Sequence, residues 1–235
     1  MKELLIVLPV INEKQNLEKM IPPLLKYLEG RGAILCIDDN STDGTDAMFA
    51  ELMKKNSNVF YIRNPRRIGL GNVYKMGAEF AIKNGYKWMQ HMDADLSHRV
   101  EDLKNFDVVK DSADLIIGSR YIKGGKILNW PFNRLFMSSC ANLYARTILG
   151  CCRIHDLTGG FNRTKTDVLK SINFKDIKSN GYASQVELKY RAYKKGYIVK
   201  EVPITFSDRE LGKTKMNKAI ILEGMWKIWW MRFNI

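Results

Sequence analysis

The strongest chemical signal in the sequence is a pair of carboxylates, Asp93 and Asp95, in the segment DADLSH that follows a short apolar run. Two carboxylates at the end of a strand can share a divalent ion with a diphosphate. Mg²⁺ favours this arrangement because it binds one or two carboxylates together with substrate phosphates and retains water molecules. Such pairs also occur in solvated turns, but the position after an apolar strand favours the metal. We therefore predict a site for Mg²⁺ or Mn²⁺.

A second polar segment, DDNSTDGT at residues 38–45, follows another apolar run. Asp, Asn, Ser and Gly all favour turns, so a plain turn is one interpretation. The other is a nucleotide site, in which Asp38 or Asp39 accepts hydrogen bonds from a base or ribose and residues 43–44 cap the next helix. The segment at residues 63–71 would add cations and flexible backbone beside the nucleotide.

The elements that must position these residues form an alternating pattern. Short, partly β-branched apolar runs are typical of buried strands, and they lie at residues 3–8, 33–37, 59–62, 87–92 and 115–117. Apolar residues recur at helical spacing within residues 17–28 and 73–81. The order predicts an α/β fold with a mostly parallel sheet. Ligands bind at the carboxyl ends of such strands, so we expect PVINE, DDNSTDGT, DADLSH and GSRY on one face.

The second half of the chain mixes aromatic residues with cations. Residues 128–150 fit either a core helix or a membrane-facing helix, and residues 197–206 predict one further strand. Residues 216–235 hold three of the five tryptophans among lysines and an arginine, which is typical of a helix at a membrane interface. Packing on its own domain or on an oligomer partner is the alternative. We predict a catalytic domain over residues 1–215, followed by this helix.

The composition limits the partners. An excess of 38 Lys and Arg over 25 Asp and Glu gives a net charge of +13, which suits nucleic acid, a phospholipid surface or a phosphorylated substrate. The four cysteines lack CxxC spacing, so a disulfide framework or a zinc site is disfavoured. No apolar run reaches the roughly 18 residues of a membrane-spanning helix, so we expect any membrane contact to be peripheral.

The motifs as a set resemble one known family. They are PVINE, DDNSTDGT, RRIGLGNVYKMGAEFA, MDADLSH, GSRY, DLTGGFN, GYASQVELKYRAYKKGY and VKEVPITFSDRELGKTK, in order from about residue 4 to 215. They resemble the polyprenyl-phosphate mannosyltransferases (dolichol-phosphate mannose synthases) of glycosyltransferase family 2. The resemblance implies a GT-A fold and inverting transfer of a sugar, with mannose from GDP-mannose favoured, to dolichyl or polyprenyl phosphate. It also implies peripheral contact with the cytoplasmic face of a membrane, and a homo-oligomer or a membrane-anchoring subunit as possible partners.

The same resemblance implies roles for individual residues, motif by motif. The nucleotide-sugar site would comprise Pro9, Ile11, Asn12, Glu13, Ile37, Asp38, Asp39, Asp93, Ala94, Arg209 and Lys215. The metal would lie on Asp93, Asp95 and Ser97, where the serine replaces a glutamine that is common in the family. The acceptor phosphate would lie on Arg120, Arg134 and Ser138, and the catalytic set would be Asp95, Arg120 and Arg134. Ile11 also replaces an aromatic residue, which would alter stacking on the base.

The chemistry of this acceptor explains the arginines. A phosphate monoester has a second pKa near 6, so it is already largely dianionic at neutral pH and needs no general base. The enzyme must align the reactants and offset their negative charge. Arginine suits this task because its planar fork binds phosphate oxygens through two hydrogen bonds.

Two alternatives remain open at the level of sequence. A family 2 transferase acting on a protein, a glycan or a small molecule would need a catalytic carboxylate in the second half, where DLTGGF offers Asp156. UDP-glucose or UDP-N-acetylglucosamine would use nearly the same donor residues. A nucleic-acid-binding module is disfavoured, because DDNSTDGT and DADLSH would place acidic side chains against the phosphate backbone.

Overall fold

A seven-stranded sheet forms the centre of the computed structural model, which describes residues 2–179, 183–208 and 218–235, with side chains in the last range from residue 223 onward. The strands are β1 (Lys2–Val10), β2 (Gly32–Asp38), β3 (Val59–Arg63), β4 (Tyr86–His91), β5 (Leu115–Ser119), β6 (Lys126–Leu128), β7 (Asn162–Lys165), β8 (Val199–Pro203) and β9 (Thr205–Ser207). The helices are α1 (Lys14–Leu28), α2 (Thr45–Lys55), α3 (Leu70–Lys83), α4 (Leu103–Val109), α5 (Phe132–Leu149), α6 (Thr166–Ser171), α7 (Ala183–Lys194) and α8 (Lys218–Asn234).

The order of strands in the sheet is β3-β2-β1-β4-β7-β5-β8. Its neighbouring strands are parallel except where β7 pairs with β4 and β5. Strands β6 and β9 form a separate parallel pair. The predicted mostly parallel α/β sheet is therefore confirmed, and each of the five apolar runs forms a strand within two residues of its predicted bounds.

Helices cover both faces of the sheet. Side chains of β1 alternate between the faces, as they must along a strand. Leu4, Ile6 and Leu8 join the apolar core beneath α1, α2 and α4, whereas Leu5 and Val7 join the core beneath α3, α6 and α7. The polar segments follow the carboxyl ends of β1, β2, β4 and β5, between these layers.

The prediction of one strand over residues 197–206 is wrong, because the chain changes partners at Ile204. Strand β8 pairs with β5 in the large sheet, and β9 pairs with β6 in the small one. Pro203 has no N–H to continue the ladder. The N–H of Ile204 donates to the carbonyl of Ser119 at 3.2 Å, and its carbonyl accepts from the N–H of Lys126 at 2.9 Å. Ile204 thereby joins the two sheets.

Strand β7 was not predicted, because its sequence NRTK is polar. Asn162, Arg163 and Thr164 are nevertheless buried in the middle of the sheet. Arg163 donates from Nε to Gln90 at 2.9 Å and from Nη1 to Asp107 at 2.6 Å. Apolar periodicity cannot reveal a strand whose burial depends on partners distant in sequence.

Helix α8 packs against α5 and α7. Ile228 and Met231 are buried there, and the hydroxyl of Tyr144 donates to the carbonyl of Met225 at 3.3 Å. The part of the chain that the structure describes contains no helix with both the length and the apolar character needed to cross a membrane. The predicted domain boundary at residue 215 lies outside the described residues and stays a prediction.

Candidate active site

The predicted metal carboxylates lie in a turn that begins where β4 ends. Asp93 is half-buried and Asp95 is buried. The N–H and the hydroxyl of Ser97 both donate to Oδ1 of Asp95, at 3.1 and 2.5 Å. Ser97 is itself buried, so its hydroxyl orients the carboxylate of Asp95. The predicted metal ligation by Ser97 stays a prediction.

His98 supports the same turn, although the sequence analysis gave it no role. Its Nδ1 accepts from the N–H of Asp93 at 3.0 Å, and its ring stacks on Phe161 with the centroids 4.5 Å apart. Burial lowers the pKa of His98 to about 4, so the ring is neutral at physiological pH. Because Nδ1 is the acceptor, the proton lies on Nε2.

The two carboxylates predicted for the nucleoside hold the backbone around them. Asp38 is buried, and it accepts from the N–H and the hydroxyl of Ser41 at 2.7 and 2.6 Å and from the Tyr61 hydroxyl at 2.5 Å. Asp39 is half-buried and accepts from the N–H groups of Ile68 and Gly69 at 2.8 and 3.0 Å. Asp39 thus fixes the segment that leads into α3.

Hydrogen bonds join PVINE to DDNSTDGT. The N–H of Asn12 donates to the Ser41 hydroxyl at 2.9 Å, and Oδ1 of Asn12 accepts from the N–H of Thr42 at 2.8 Å. Asp43 accepts from the N–H of Lys14 at 2.9 Å and from the N–H of Thr45 at 3.2 Å, which are the first residues of α1 and α2. Gly44 is the N-cap residue of α2, and Asp43 supports the starts of both helices through their first N–H groups.

The other residues predicted for the nucleotide sugar lie at the same edge, as far as they are described. Pro9 and Ile37 pair in register near the ends of β1 and β2. Ala94 is buried, Ile11 is half-buried, and Glu13 accepts from the amide of Asn16 at 2.6 Å. Arg209 and Lys215 lie outside the described residues.

Arg120, directly after β5, is paired with Asp156. Nε donates to Oδ2 at 2.7 Å and Nη2 donates to Oδ1 at 2.8 Å. The arginine side chain is 8% exposed and the aspartate is fully buried. Burial raises the pKa of Asp156, but the Arg120 guanidinium lowers it further, so it lies below its usual value. A carboxylate held in this way is a poor general base, which weakens the case for Asp156 in the alternative mechanism.

Arg134 and Ser138 lie one turn apart on α5. Arg134 donates from Nη1 to Asp208 at 2.6 Å, and Ser138 accepts from the hydroxyl of Tyr121 at 2.7 Å. The indole of Trp130 lies against both predicted phosphate-binding arginines, with its centroid 4.1 Å from the Arg134 guanidinium carbon and 5.6 Å from that of Arg120. The three predicted acceptor residues are therefore brought together through Tyr121 and Trp130, which the sequence analysis did not single out.

Two further charged residues escaped the sequence analysis. Lys189 on α7 is buried, and its ammonium donates to the carbonyls of Asp156, Leu157 and Gly159. Glu201 on β8 accepts from the N–H of Asp156 at 2.9 Å. Both lie in motifs that carry the resemblance, but their partners lie at least 30 residues away along the chain, so the motifs do not reveal these contacts.

The carboxylates of the DADLSH turn could hold a divalent ion. Among the described residues there is no cluster of three or more His, Cys, Asp or Glu side chains that would hold a metal by themselves. Asp93 and Asp95 supply two hard oxygen ligands, so donor phosphates and water would complete the coordination. This ligand set fits Mg²⁺ or Mn²⁺ better than Zn²⁺, which prefers three or four protein ligands.

Comparison with known proteins places the chain in a family. The family model for glycosyl transferase family 2 matches residues 5–172. The chain belongs to glycosyltransferase family 2. As a family 2 enzyme it is a glycosyltransferase, which confirms the predicted activity class.

Curated relatives of this family 2 enzyme span most of the chain. Polyprenol monophosphomannose synthase of Mycolicibacterium smegmatis is 40% identical over 95% of this chain and 84% of that protein. Undecaprenyl-phosphate mannosyltransferase of Micrococcus luteus is 35% identical over 94% of this chain and 90% of that protein. Dolichol-phosphate mannosyltransferase of Pyrococcus furiosus is 33% identical over 93% of this chain and 60% of that protein. The predicted resemblance to polyprenyl-phosphate mannosyltransferases is confirmed.

Solved structures agree on the fold. Glucosyl-3-phosphoglycerate synthase from Mycobacterium tuberculosis, in complex with Mn²⁺, UDP and glucosyl-3-phosphoglycerate, has a TM-score of 0.66 over 97% of this chain and 77% of that chain. Its sequence is 15% identical, so the likeness concerns the fold. The predicted GT-A fold is confirmed.

Proposed function

We propose that this family 2 glycosyltransferase transfers mannose from GDP-mannose to the phosphate of a polyprenyl or dolichyl phosphate, with inversion at the anomeric carbon. One observation carries the choice of acceptor: the arginine and serine predicted to bind its phosphate lie on a helix with a strongly exposed apolar face. An acceptor with an anionic head and an apolar tail fits both features. The names of the three relatives support the same choice.

The proposed apolar face comprises exposed side chains of α5 and α8, two helices that pack against each other. Its members are exposed aromatic or long apolar side chains, namely Phe132, Phe136, Met137, Leu143, Trp226, Trp229 and Phe233. Phe132 is 80% exposed and stacks on Phe136 with the ring centroids 6.4 Å apart, two residues from Arg134. Exposed aromatic side chains with cations nearby are typical of helices that lie in the headgroup region of a bilayer. The proposed location is the cytoplasmic face of a membrane, reached by this surface.

The donor diphosphate would lie at Asp93 and Asp95, which would share Mg²⁺ or Mn²⁺ with it. When bound, the ion offsets the negative charge of the diphosphate and of the nucleoside diphosphate that departs. The structure of glucosyl-3-phosphoglycerate synthase with Mn²⁺ and UDP supports a divalent ion in this fold. Ser97 keeps Asp95 oriented, and His98 keeps the backbone of Asp93 in place.

The transfer itself requires little proton chemistry. An oxygen of the dianionic acceptor phosphate forms a bond to the anomeric carbon, while the bond from that carbon to the donor diphosphate breaks and its electron pair leaves with GDP. Arg120 and Arg134 hold the acceptor phosphate in line with the bond that breaks. They also stabilise the negative charge as it passes from the acceptor phosphate to GDP. The pairing of Asp156 with Arg120 agrees with a reaction that needs no carboxylate base.

The experiment that tests the function is transfer of radiolabelled sugar to a short-chain polyprenyl phosphate. GDP-mannose, UDP-glucose and UDP-N-acetylglucosamine are compared, each with Mg²⁺, with Mn²⁺ and with EDTA. We expect labelled lipid from GDP-mannose, lost in EDTA. If only a UDP-sugar gave product, the proposed donor would be wrong. If nucleotide sugar bound but no lipid product formed, the proposed acceptor would be wrong.

The membrane contact is tested by flotation with vesicles of phosphatidylcholine and phosphatidylglycerol. Changing Phe132 and Phe136 together to serine should lower the bound fraction. Val108→Ser is the matched control, because Val108 is 83% exposed but lies on α4, which covers the opposite face of the sheet. Equal binding of both variants and the wild type would contradict the proposed surface.

A further inference from the structure

The turn at residues 155–160 connects the two charged centres of the site. At one end, Asp156 binds the guanidinium of Arg120. At the other end, a Cβ built on Gly160 would lie 3.8 Å from both carboxylate oxygens of Asp93. The N–H of Gly159 donates to Oδ1 of Asp156 at 3.0 Å, which closes the turn on itself. The path of this turn therefore sets the position of Arg120 relative to Asp93.

Lys189, on α7, binds the backbone of this turn. Its ammonium donates to the carbonyl oxygens of Asp156 at 3.1 Å, Leu157 at 2.9 Å and Gly159 at 2.6 Å. These contacts use the three donors that an ammonium group has. Lys189 is fully buried, so an apolar side chain in its place would leave buried carbonyls without a donor.

Glu201, on β8, binds other backbone groups of the same turn. Oε1 accepts from the N–H of Asp156 at 2.9 Å, and Oε2 accepts from the N–H and from Nδ1 of His155, both at 2.8 Å. The N–H of Asp156 is thus held by Glu201 and its carbonyl by Lys189. With both peptide groups anchored, the carboxylate of Asp156 is presented to Arg120 in one orientation.

The charges of the residues around this turn balance one another. Arg120, Asp156, Lys189 and Glu201 are two cations and two anions within one contiguous buried network. Burial lowers the pKa of Lys189 to about 7, whereas the nearby carboxylates of Asp156 and Glu201 raise it. The Arg120 guanidinium also lowers this pKa, so the ammonium form predominates only below about pH 7.

We propose that Lys189 and Glu201 are positioning residues, which set the orientation of Arg120 through Asp156. The inference rests on the proposed function, in which Arg120 stabilises negative charge during transfer. Lys189 is fully buried and the Glu201 side chain is 9% exposed, so each acts on the turn that carries Asp156 rather than on a substrate. Displacing a charge-stabilising group by about 1 Å can cost on the order of a hundredfold in rate. We therefore expect these two anchor residues, Lys189 and Glu201, to affect the rate of transfer as well as stability.

The kinetic test uses Lys189→Met and Glu201→Gln in the full chain, assayed with GDP-mannose and a short-chain polyprenyl phosphate. We expect kcat to fall by about ten- to a hundredfold, with the Kd for GDP-mannose within about twofold of the wild type. In an Arg120→Lys background, Lys189→Met should cause less than about a twofold further loss, because both act through one group. The proposal would be overturned if Lys189→Met lowered kcat by the same factor in the Arg120→Lys background as in the wild type. An unchanged kcat in both single variants would overturn it as well.

A matched control separates positioning from general stability. Tyr27→Phe removes the hydroxyl of a half-buried tyrosine, which binds Asp107 and Arg163 on the opposite face of the sheet. We expect it to lower Tm without changing kcat. If Lys189→Met does not fold, Glu201→Gln carries the test, because its amide oxygen can still accept one of the two backbone N–H groups.

A readout independent of transfer keeps this inference separate from the proposed function. The Nε–H resonance of Arg120, assigned by its loss in Arg120→Lys, reports the contact with Asp156. It should shift in Glu201→Gln and Lys189→Met and stay in place in Tyr27→Phe. An unmoved resonance in both anchor variants would overturn the positioning role, whereas a shift in an enzyme that forms no lipid product would overturn only the proposed acceptor.

Discussion

Arg134 donates a hydrogen bond from Nη1 to Oδ1 of Asp208 at 2.6 Å, so a carboxylate of the chain itself occupies one edge of the arginine proposed to bind the acceptor phosphate. Both side chains are about one-third exposed. An ion pair with this exposure contributes up to about 1 kcal/mol. The acceptor phosphate must therefore displace or share a weakly held anion when it binds Arg134.

The first prediction follows from this competition. Asp208→Asn should lower KM for the acceptor by about two- to fivefold, because the competing charge is gone and the pair is weak. Steady-state kinetics at low ionic strength measure the change. Asp167→Asn, which breaks an exposed pair with Lys170 on α6, is the control and should leave KM unchanged. A higher KM in Asp208→Asn would mean that Asp208 assists the acceptor instead.

The two arginines should differ in what their loss does to stability. Arg120→Ala leaves the fully buried Asp156 without its cation, which typically costs about 3–5 kcal/mol. Arg134→Ala breaks a partly exposed pair and should cost about 1 kcal/mol or less. Each should lower kcat/KM by about a hundredfold or more. Urea unfolding and transfer kinetics on both variants test the contrast, and equal loss of stability would contradict it.

Trp130 should affect transfer through its aromatic ring and not through its indole N–H. The indole lies against the guanidinium groups of Arg120 and Arg134, and contacts of this kind contribute about 0.5–2 kcal/mol. Its Nε1 is buried and has no hydrogen-bond partner within the described structure. Trp130→Phe should therefore stay within about threefold of the wild-type kcat/KM, while Trp130→Leu should lose about tenfold. The opposite order of the two variants would rule out a role for the aromatic ring.

Lys189 should leave a signature in the pH dependence of stability. Its folded pKa of about 7 lies below that of an unfolded lysine, so between these values the unfolded state binds more protons. The free energy of unfolding of the wild type should therefore rise relative to Lys189→Met as the pH increases from 7 to 10, where Arg120 and Asp156 keep their charges. Urea unfolding at several pH values measures the difference. Parallel curves for the two proteins would show that Lys189 keeps its proton in the folded state across this range, so that its pKa is not lowered.

The sheet and the edge that carries the site could be predicted from the sequence, because both depend on local patterns. Apolar runs gave the first five strands, and the polar segments after four of them gave Asp39, Asp93 and Asp95 a common edge. The partners of these residues were less accessible. Asp38 stays a predicted nucleoside ligand, and no local pattern indicates that its oxygens also accept from Ser41 and Tyr61.

The acceptor side was predicted with less detail, for a physical reason. The resemblance assigned Arg120 to phosphate, but its buried pairing with Asp156 depends on a turn 36 residues further along the chain. The same holds for Lys189, whose polar surroundings exist only after α7 has packed beneath that turn. Burial of a charge is a property of the folded neighbourhood, so a single sequence does not reveal which charged residues form the interior of a site.

The exposed aromatic side chains on α5 have a consequence for how the rate should be described. The helix that carries Arg134 would meet the acceptor within a lipid layer, so what governs the encounter is the number of acceptor molecules per area of membrane. Adding inert phospholipid at a fixed amount of acceptor would spread these molecules apart and slow the reaction, while adding buffer would leave it unchanged. For such an enzyme, the mole fraction of acceptor among the lipids replaces its molarity as the variable that sets turnover.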